Sequence, residues 1–249
     1  MKNLGWVLPF LLLPLLLLVG CAEPPPSPKA VLAPPPFPGL AQGIDLPIDA
    51  RDVSNELKSQ QLDFVARYYR DPASRWPTLS AAEAQALSAS GVKVVAVWES
   101  HSATPSYFSY ASGYSDGMAS YGQAKAVGQP AGSAIYFAVD YNAYASDLTG
   151  PIDQYFRGVA AGLIAAAGRT PEYKIGVYGS GAVCYYLKHA NLAQYAWLSN
   201  STAWAGYTEF AGWDIRQAGR SPGLSFDQDQ NEARGEYGGF RVGSQLSSL

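Results

Sequence analysis

The chain has 249 residues, 48% of them hydrophobic and 13% aromatic, with a formal net charge of −3 at neutral pH. That balance leaves no basic face for nucleic acid and supplies ample apolar surface for a core. Two cysteines and two histidines are too few for a disulfide framework or a zinc cluster, so no metal and no cofactor is expected.

The first twenty residues hold a single charge, Lys2, and an apolar block from Leu4 to Val19 that Pro9 and Pro14 interrupt. The prolines argue against a stable spanning helix and for a signal peptide over residues 1–20. The block closes on Leu18-Val-Gly-Cys21, which resembles the lipobox of bacterial lipoproteins. The resemblance implies cleavage before Cys21, lipidation of its thiol, and a membrane tether outside the cytoplasm, at an outer membrane or the cell surface. Residues 21–40 contain eight prolines, a composition that favours an extended spacer holding the following domain off the membrane. Residues 41–249 form that domain. Within it Cys184 has no partner and is expected to be a buried, inert thiol.

The domain reads as alternating strands and helices, the pattern of a parallel sheet. Strand one ends at Gly43-Ile-Asp45, a polar helix-like segment spans Val53 to Leu62, and strand two is Phe64 to Tyr69. A helix then starts at the capping box Ser80-Ala-Ala-Glu83 and stops at Gly91. Strand three, Val92 to Trp98, closes on Glu99; a helix from about Ser115 to Val127 follows. Strand four, Ala134 to Val139, is uncharged and does not alternate, which suits burial on both faces, and it ends at Asp140. A long helix begins at Pro151 and ends at Gly168. Strand five is Lys174 to Tyr178, a helix runs through Cys184 to about His189, and strand six is Tyr195 to Ser199. Strand seven is placed near Phe210 to Arg216 and strand eight near Leu224 to Asp227. Eight strands of this kind predict a TIM-type (β/α)8 barrel, an α/β fold, with the last helices short or missing.

Barrel enzymes carry their chemistry at the carboxyl ends of the strands. Those ends supply Asp45, Tyr69, Glu99, Asp140, Tyr178, Gln217 and Asp227, with Trp98 and Asn142 beside them. Each acid has a plainer alternative. Asp45 suits a helix cap, Glu99 suits a solvated position beside His101, and Asp229 rivals Asp227 on the last strand. Asp140 is the most purposeful, because an unpaired charge at the end of so apolar a strand is costly. Arg67 suits a structural pair with an acid inside the barrel. Acids among aromatics, without a metal or phosphate motif, point to carbohydrate: carboxylates bond hydroxyls and rings stack on sugar faces.

Gly43-Ile-Asp45, Phe137-Ala-Val-Asp140, Ile175-Gly-Val-Tyr178 and Phe226-Asp227 together resemble the glycoside-hydrolase-like family formerly called domain of unknown function 1906. That family is related to the family-25 glycoside hydrolases, barrel muramidases that cleave peptidoglycan. The resemblance implies a strand-one acid at Asp45, the first acid of an Asp-x-Glu motif at Asp140, and a late acid at Asp227. The proton-donating Glu of the motif falls on Asn142, and an amide cannot perform that step. Two expectations follow. In one, Glu99, on the strand adjacent to Asp140, replaces the missing acid. Neighbouring strand ends lie about 4.8 Å apart, which would allow the carboxyl separation of about 5–5.5 Å used by retaining enzymes. In the other, the pocket binds cell-wall glycan such as peptidoglycan without cutting it.

Overall fold

The structure, a computed structural model, describes residues 39–53, 56–57, 60–101, 103–207, 209–219 and 228–243. Cys21, the proline-rich segment before Gly39, the strand expected at Leu224 to Asp227, and Asp227 itself lie outside those residues. Eight strands close into a barrel in sequence order: β1 (Ala41–Asp45), β2 (Phe64–Tyr69), β3 (Lys93–Trp98), β4 (Ala134–Ala138), β5 (Lys174–Gly179), β6 (Tyr195–Leu198), β7 (Ile215–Gly219) and β8 (Asp229–Ala233). Strands β1 to β7 are parallel, as the alternation predicts. The last strand departs from the expectation. It runs antiparallel to both β7 and β1, with Asp229 opposite Asp45. Its beginning, not its end, therefore lies at the rim where the other strands finish. Strand β7 starts later than the sequence suggests, at Ile215, just after Asp214, whose carboxylate accepts from the Ala196 amide and from Lys188.

Four helices of nine residues or more flank the barrel among the described residues: α1 (Ala81–Ala89), α2 (Tyr110–Val127), α3 (Asp153–Ala167) and α4 (Gly181–His189). Three have a serine cap, Ser80, Ser109 and Ser180, each accepting from a first-turn amide. Helix α2 begins earlier than expected, since Ser109 supplies the cap. It ends at Gly128, whose φ of +84° is the left-handed conformation that terminates helices. Helices α2 and α3 meet backbone to backbone. A Cβ on Gly158 would lie 2.1 Å from the Tyr110 carbonyl oxygen, and one on Gly113 would lie 2.0 Å from that of Tyr155. No other residue fits at those two positions.

Because the strands are buried on both faces, each contributes alternate residues to two apolar layers. Phe64, Ala66, Val95, Val97, Tyr136 and Trp197 fill the barrel interior. Val65, Tyr69, Ala96, Trp98, Phe137 and Val177 face the helices. Arg67 belongs to the outer set, a correction to its expected place inside. Its guanidinium is fully buried between β2 and α1, where it meets Glu83 at 2.5 Å and donates to the Leu46 carbonyl at 2.8 Å. Glu83 also accepts from the Ala50 amide. The capping box is thus half used: Ser80 caps the helix, while Glu83 turns inward to hold the arginine. After β8 the chain passes beneath the barrel. Phe240 pairs with Val94, the Gly238 carbonyl accepts from the Ala134 amide, and the Tyr237 carbonyl accepts from Tyr136 Oη at 2.7 Å.

Candidate active site at the barrel mouth

The inward parity of each strand continues past its last hydrogen-bonded residue, and at that level the lining turns polar. Asp45 ends β1, Glu99 follows Trp98 on β3, and Asp140 lies two residues beyond Ala138 on β4. Reversal of β8 brings Asp229 to the same rim. These four carboxylates line a cavity of about 220 Å³ with Tyr68, Tyr178 and Gln217, over a floor of Val97 and Trp197.

Asp45 is held on three sides. Asn231 Nδ2 donates at 2.7 Å, Tyr68 Oη at 3.2 Å and Gln217 Nε2 at 3.4 Å. Asn231 is fully buried and is itself oriented by the Trp197 indole N–H at 2.8 Å. Gln217 also donates to Asp229 at 3.2 Å and accepts from Tyr178 Oη at 3.1 Å. Burial lifts the Asp45 carboxyl to about 6, with Asp229 adding to the rise and the three donors opposing it.

Glu99 differs. Among the described residues no hydrogen bond reaches its carboxylate or that of Asp140. Burial, followed by the charge of Asp140, raises Glu99 to about 7, against the opposing pull of Arg70. Asp140 is raised by burial. The Arg70 guanidinium lies 4.2 Å above the Tyr68 ring centroid and donates to the Glu99 main-chain carbonyl at 3.1 Å. The β3–β4 register, Trp98 with Phe137, sets Glu99 level with Ala138, so Asp140 stands one inward position further along. With a rise of about 3.3 Å per residue and strands about 4.8 Å apart, the two α-carbons are separated by roughly 8 Å. They are diagonal neighbours, not the lateral pair that strand adjacency alone suggests. One group that is half protonated near neutrality faces another carboxylate in a small polar cavity, which is the arrangement an acid–base pair requires.

The expected site residues thus divide. Asp45, Glu99, Asp140, Tyr178 and Gln217 meet at the mouth. Tyr69 and Trp98 do not: each is the outward-facing last residue of its strand, packed in the outer layer, and Tyr69 Oη donates to Gln129 at 2.8 Å. Asn142 is exposed and accepts from the Ala205 amide at 3.0 Å, pinning one rim loop to another. The sequence alone does not single out Tyr68 and Trp197, which line the cavity, or Asn231, which holds Asp45. The signal for Tyr68 was the parity of β2, where Phe64, Ala66 and Tyr68 share a face with Asp45 and Glu99. Among the described residues no group of three or more His, Cys, Asp or Glu is arranged to hold a metal ion.

A family model described as "Rv2525c-like, glycoside hydrolase-like domain" matches residues 55–244. The uncharacterized protein FadG of Bacillus subtilis (strain 168) is 32% identical over 158 residues, covering 62% of this chain and 27% of that protein. The match therefore spans about a quarter of the length of that relative. Among solved structures, the Tat-secreted protein Rv2525c of Mycobacterium tuberculosis, in complex with HEPES, matches with a TM-score of 0.63 at 20% identity, over 80% of this chain and 98% of that one. The spore cortex lytic enzyme SleM of Clostridium perfringens matches with a TM-score of 0.55 at 12% identity, over 80% and 68% of the two chains. At these identities the structural likeness is one of fold.

Proposed function

The chain belongs to the Rv2525c-like, glycoside hydrolase-like domain family, and from that premise we propose that it is an extracytoplasmic protein that hydrolyses cell-wall glycan, peptidoglycan foremost. The observation that carries the reading is the pairing of Glu99, raised to about 7, with Asp140 and Asp45 in one cavity. Glu99 in its acid form gives its proton to the glycosidic oxygen as the bond to the anomeric carbon breaks. Asp140 faces the positive charge developing on the sugar, as nucleophile or as base toward water. Asp45, locked by Asn231, Tyr68 and Gln217, stabilises that charge or orients the ring. A water molecule supplies the hydroxyl that completes the cleaved unit; its proton restores Glu99 where Asp140 has acted as nucleophile, and goes to Asp140 where Asp140 acts as base, Glu99 then regaining its proton from solvent. The solved neighbour SleM, a lytic enzyme of the spore cortex, supports a wall substrate for this fold.

The place of Asn142 favours a second reading, a glycan-binding module without turnover. The residue at the family's proton-donor position is an amide engaged with Ala205, away from the cavity. Digestion of purified peptidoglycan separates the two. Hydrolysis predicts new reducing ends from the wild type and at least a hundredfold fewer from Glu99→Gln and Asp140→Asn. Binding without new reducing ends, equal in the wild type and Glu99→Gln, would refute hydrolysis.

Lipidation at Cys21 completes the proposal. The Leu18-Val-Gly-Cys21 sequence after an apolar block supports a lipid anchor, and the following eight prolines support a spacer. The Tat-secreted status of Rv2525c supports a site of action outside the cytoplasm. Cys21→Ala is expected to move the protein from the membrane to the soluble extracytoplasmic fraction; unchanged membrane association would rule out the anchor.

A further inference from the structure

Seven large hydrophobic side chains are exposed among the described residues, and five of them lie on helices. The other two, Trp76 at 50% and Tyr144 at 75% exposure, stand in loops. Both loops follow strands, Trp76 between β2 and α1 and Tyr144 between β4 and α3, so both open at the end where the carboxylates gather. In barrel order they flank the loop that carries Glu99.

Neither loop is loosely attached. The Trp76 loop is fastened to the β3 end, where the Asp71 amide donates to Ser100 Oγ at 2.8 Å. Its far side is tied back to β2, Thr78 Oγ1 donating to the Tyr68 carbonyl at 3.0 Å. The Tyr144 loop is held by Asn142 through the Ala205 amide at 3.0 Å, and the Tyr144 amide donates to Asp147 at 2.9 Å. An aromatic ring exposed on a fastened loop is presented at low entropic cost, unlike one on a free tip. Single exposed aromatics are ordinary on protein surfaces. Two on the loops either side of the Glu99 loop, at the end of the barrel where a polar cavity of about 220 Å³ opens, are a different case.

We propose that Trp76 and Tyr144 are stacking platforms for the sugar units on either side of the one held at the mouth, so that the protein engages the interior of a glycan chain and not a free sugar or a chain end. The inference rests on the glycan reading above. It adds two specificity-determining residues and a chain-length requirement to it.

The test is isothermal titration of the full chain carrying Glu99→Gln, which keeps the strands intact, with peptidoglycan glycan strands freed of peptide. Strands of six or more sugars are expected to bind at least tenfold more tightly than a single sugar unit. Trp76→Ala and Tyr144→Ala are each expected to remove most of that gain while leaving single-sugar affinity and the melting temperature unchanged. Quenching of the protein's tryptophan fluorescence by long strands that is lost in Trp76→Ala would support the same conclusion. Affinity independent of strand length, or a length gain that both substitutions preserve, would overturn the platforms and leave the glycan reading standing. Failure of every strand to bind would overturn both.

Discussion

Replacing Glu99 by glutamine removes a charge that the folded protein does not readily accept. The carboxyl rises from its ordinary 4.5 to about 7 because burial, and then Asp140, disfavour the charged form. At low pH the group is protonated in folded and unfolded chains alike. Between 4.5 and 7 the folded chain holds the proton more tightly, so the stability this group contributes is complete below 4.5 and is lost as pH rises through 7. A rise from 4.5 to about 7, at 1.36 kcal/mol for each factor of ten in proton affinity, amounts to about 3 kcal/mol by pH 8. For a domain of this size 1 kcal/mol moves the melting temperature by about 2–4 °C, so Glu99→Gln is expected to melt roughly 6–12 °C above the wild type at pH 8. At pH 4.5 the two should nearly coincide. The assay is thermal unfolding followed by circular dichroism at half-unit steps from pH 4.5 to 8.5. Titrations remote from the cavity cancel in the difference between the two proteins. A difference that stays constant with pH would refute the assignment of a buried, proton-retaining Glu99.

Hydrolysis should fall with the same titration: initial rates on peptidoglycan are expected to decline above about pH 7 as Glu99 loses its proton, and rates still rising at pH 8.5 would exclude it as the acid. Breaking the buried Arg67–Glu83 pair from one side, by Arg67→Met or Glu83→Gln, should cost about 3–5 kcal/mol in urea unfolding, with Arg67→Met/Glu83→Leu losing markedly less. Gly158→Ala should lower stability by roughly 3 kcal/mol or abolish folding, since its Cβ would enter the Tyr110 carbonyl at 2.1 Å; a melting temperature within 2 °C of the wild type (a difference of about 1 kcal/mol or less) would contradict the helix contact. Cys184 is fully buried, with its thiol pushed well above the ordinary range by burial. In the Cys21→Ala background it should resist a disulfide reagent until the protein is unfolded, and rapid native labelling would count against that burial.

Much of this architecture can be read from the residues, and the failures share a cause. The apolar runs at Phe64–Tyr69, Lys93–Trp98 and Ala134–Ala138 appear where expected because a strand buried on both faces needs such a run. The same property hides which residues face inward. With no polar alternation, the last residue of a strand is easily taken for its working residue, which is how Tyr69 and Trp98 displace Tyr68. Asp140 escapes the ambiguity because a carboxylate ending so apolar a strand has few other reasons to be there. The direction of β8 is illegible for another reason. Asp229-Gln-Asn-Glu-Ala233 has no apolar run, and its place is decided by pairing with β1 and β7 over a sequence separation no local pattern records. The offset between Glu99 and Asp140 is likewise a matter of register, which follows from barrel closure and not from either strand alone.

The reversed final strand also settles the polarity of the domain. Chain enters at Gly39 ahead of β1 and, after β8, returns beneath the barrel to Val242, whose amide donates to Ser88 near the end of α1. Both ends of the described domain therefore leave from the base, and the carboxylates open on the opposite pole. The two poles of the barrel thus divide their work, chain connections at the base and titratable groups at the mouth.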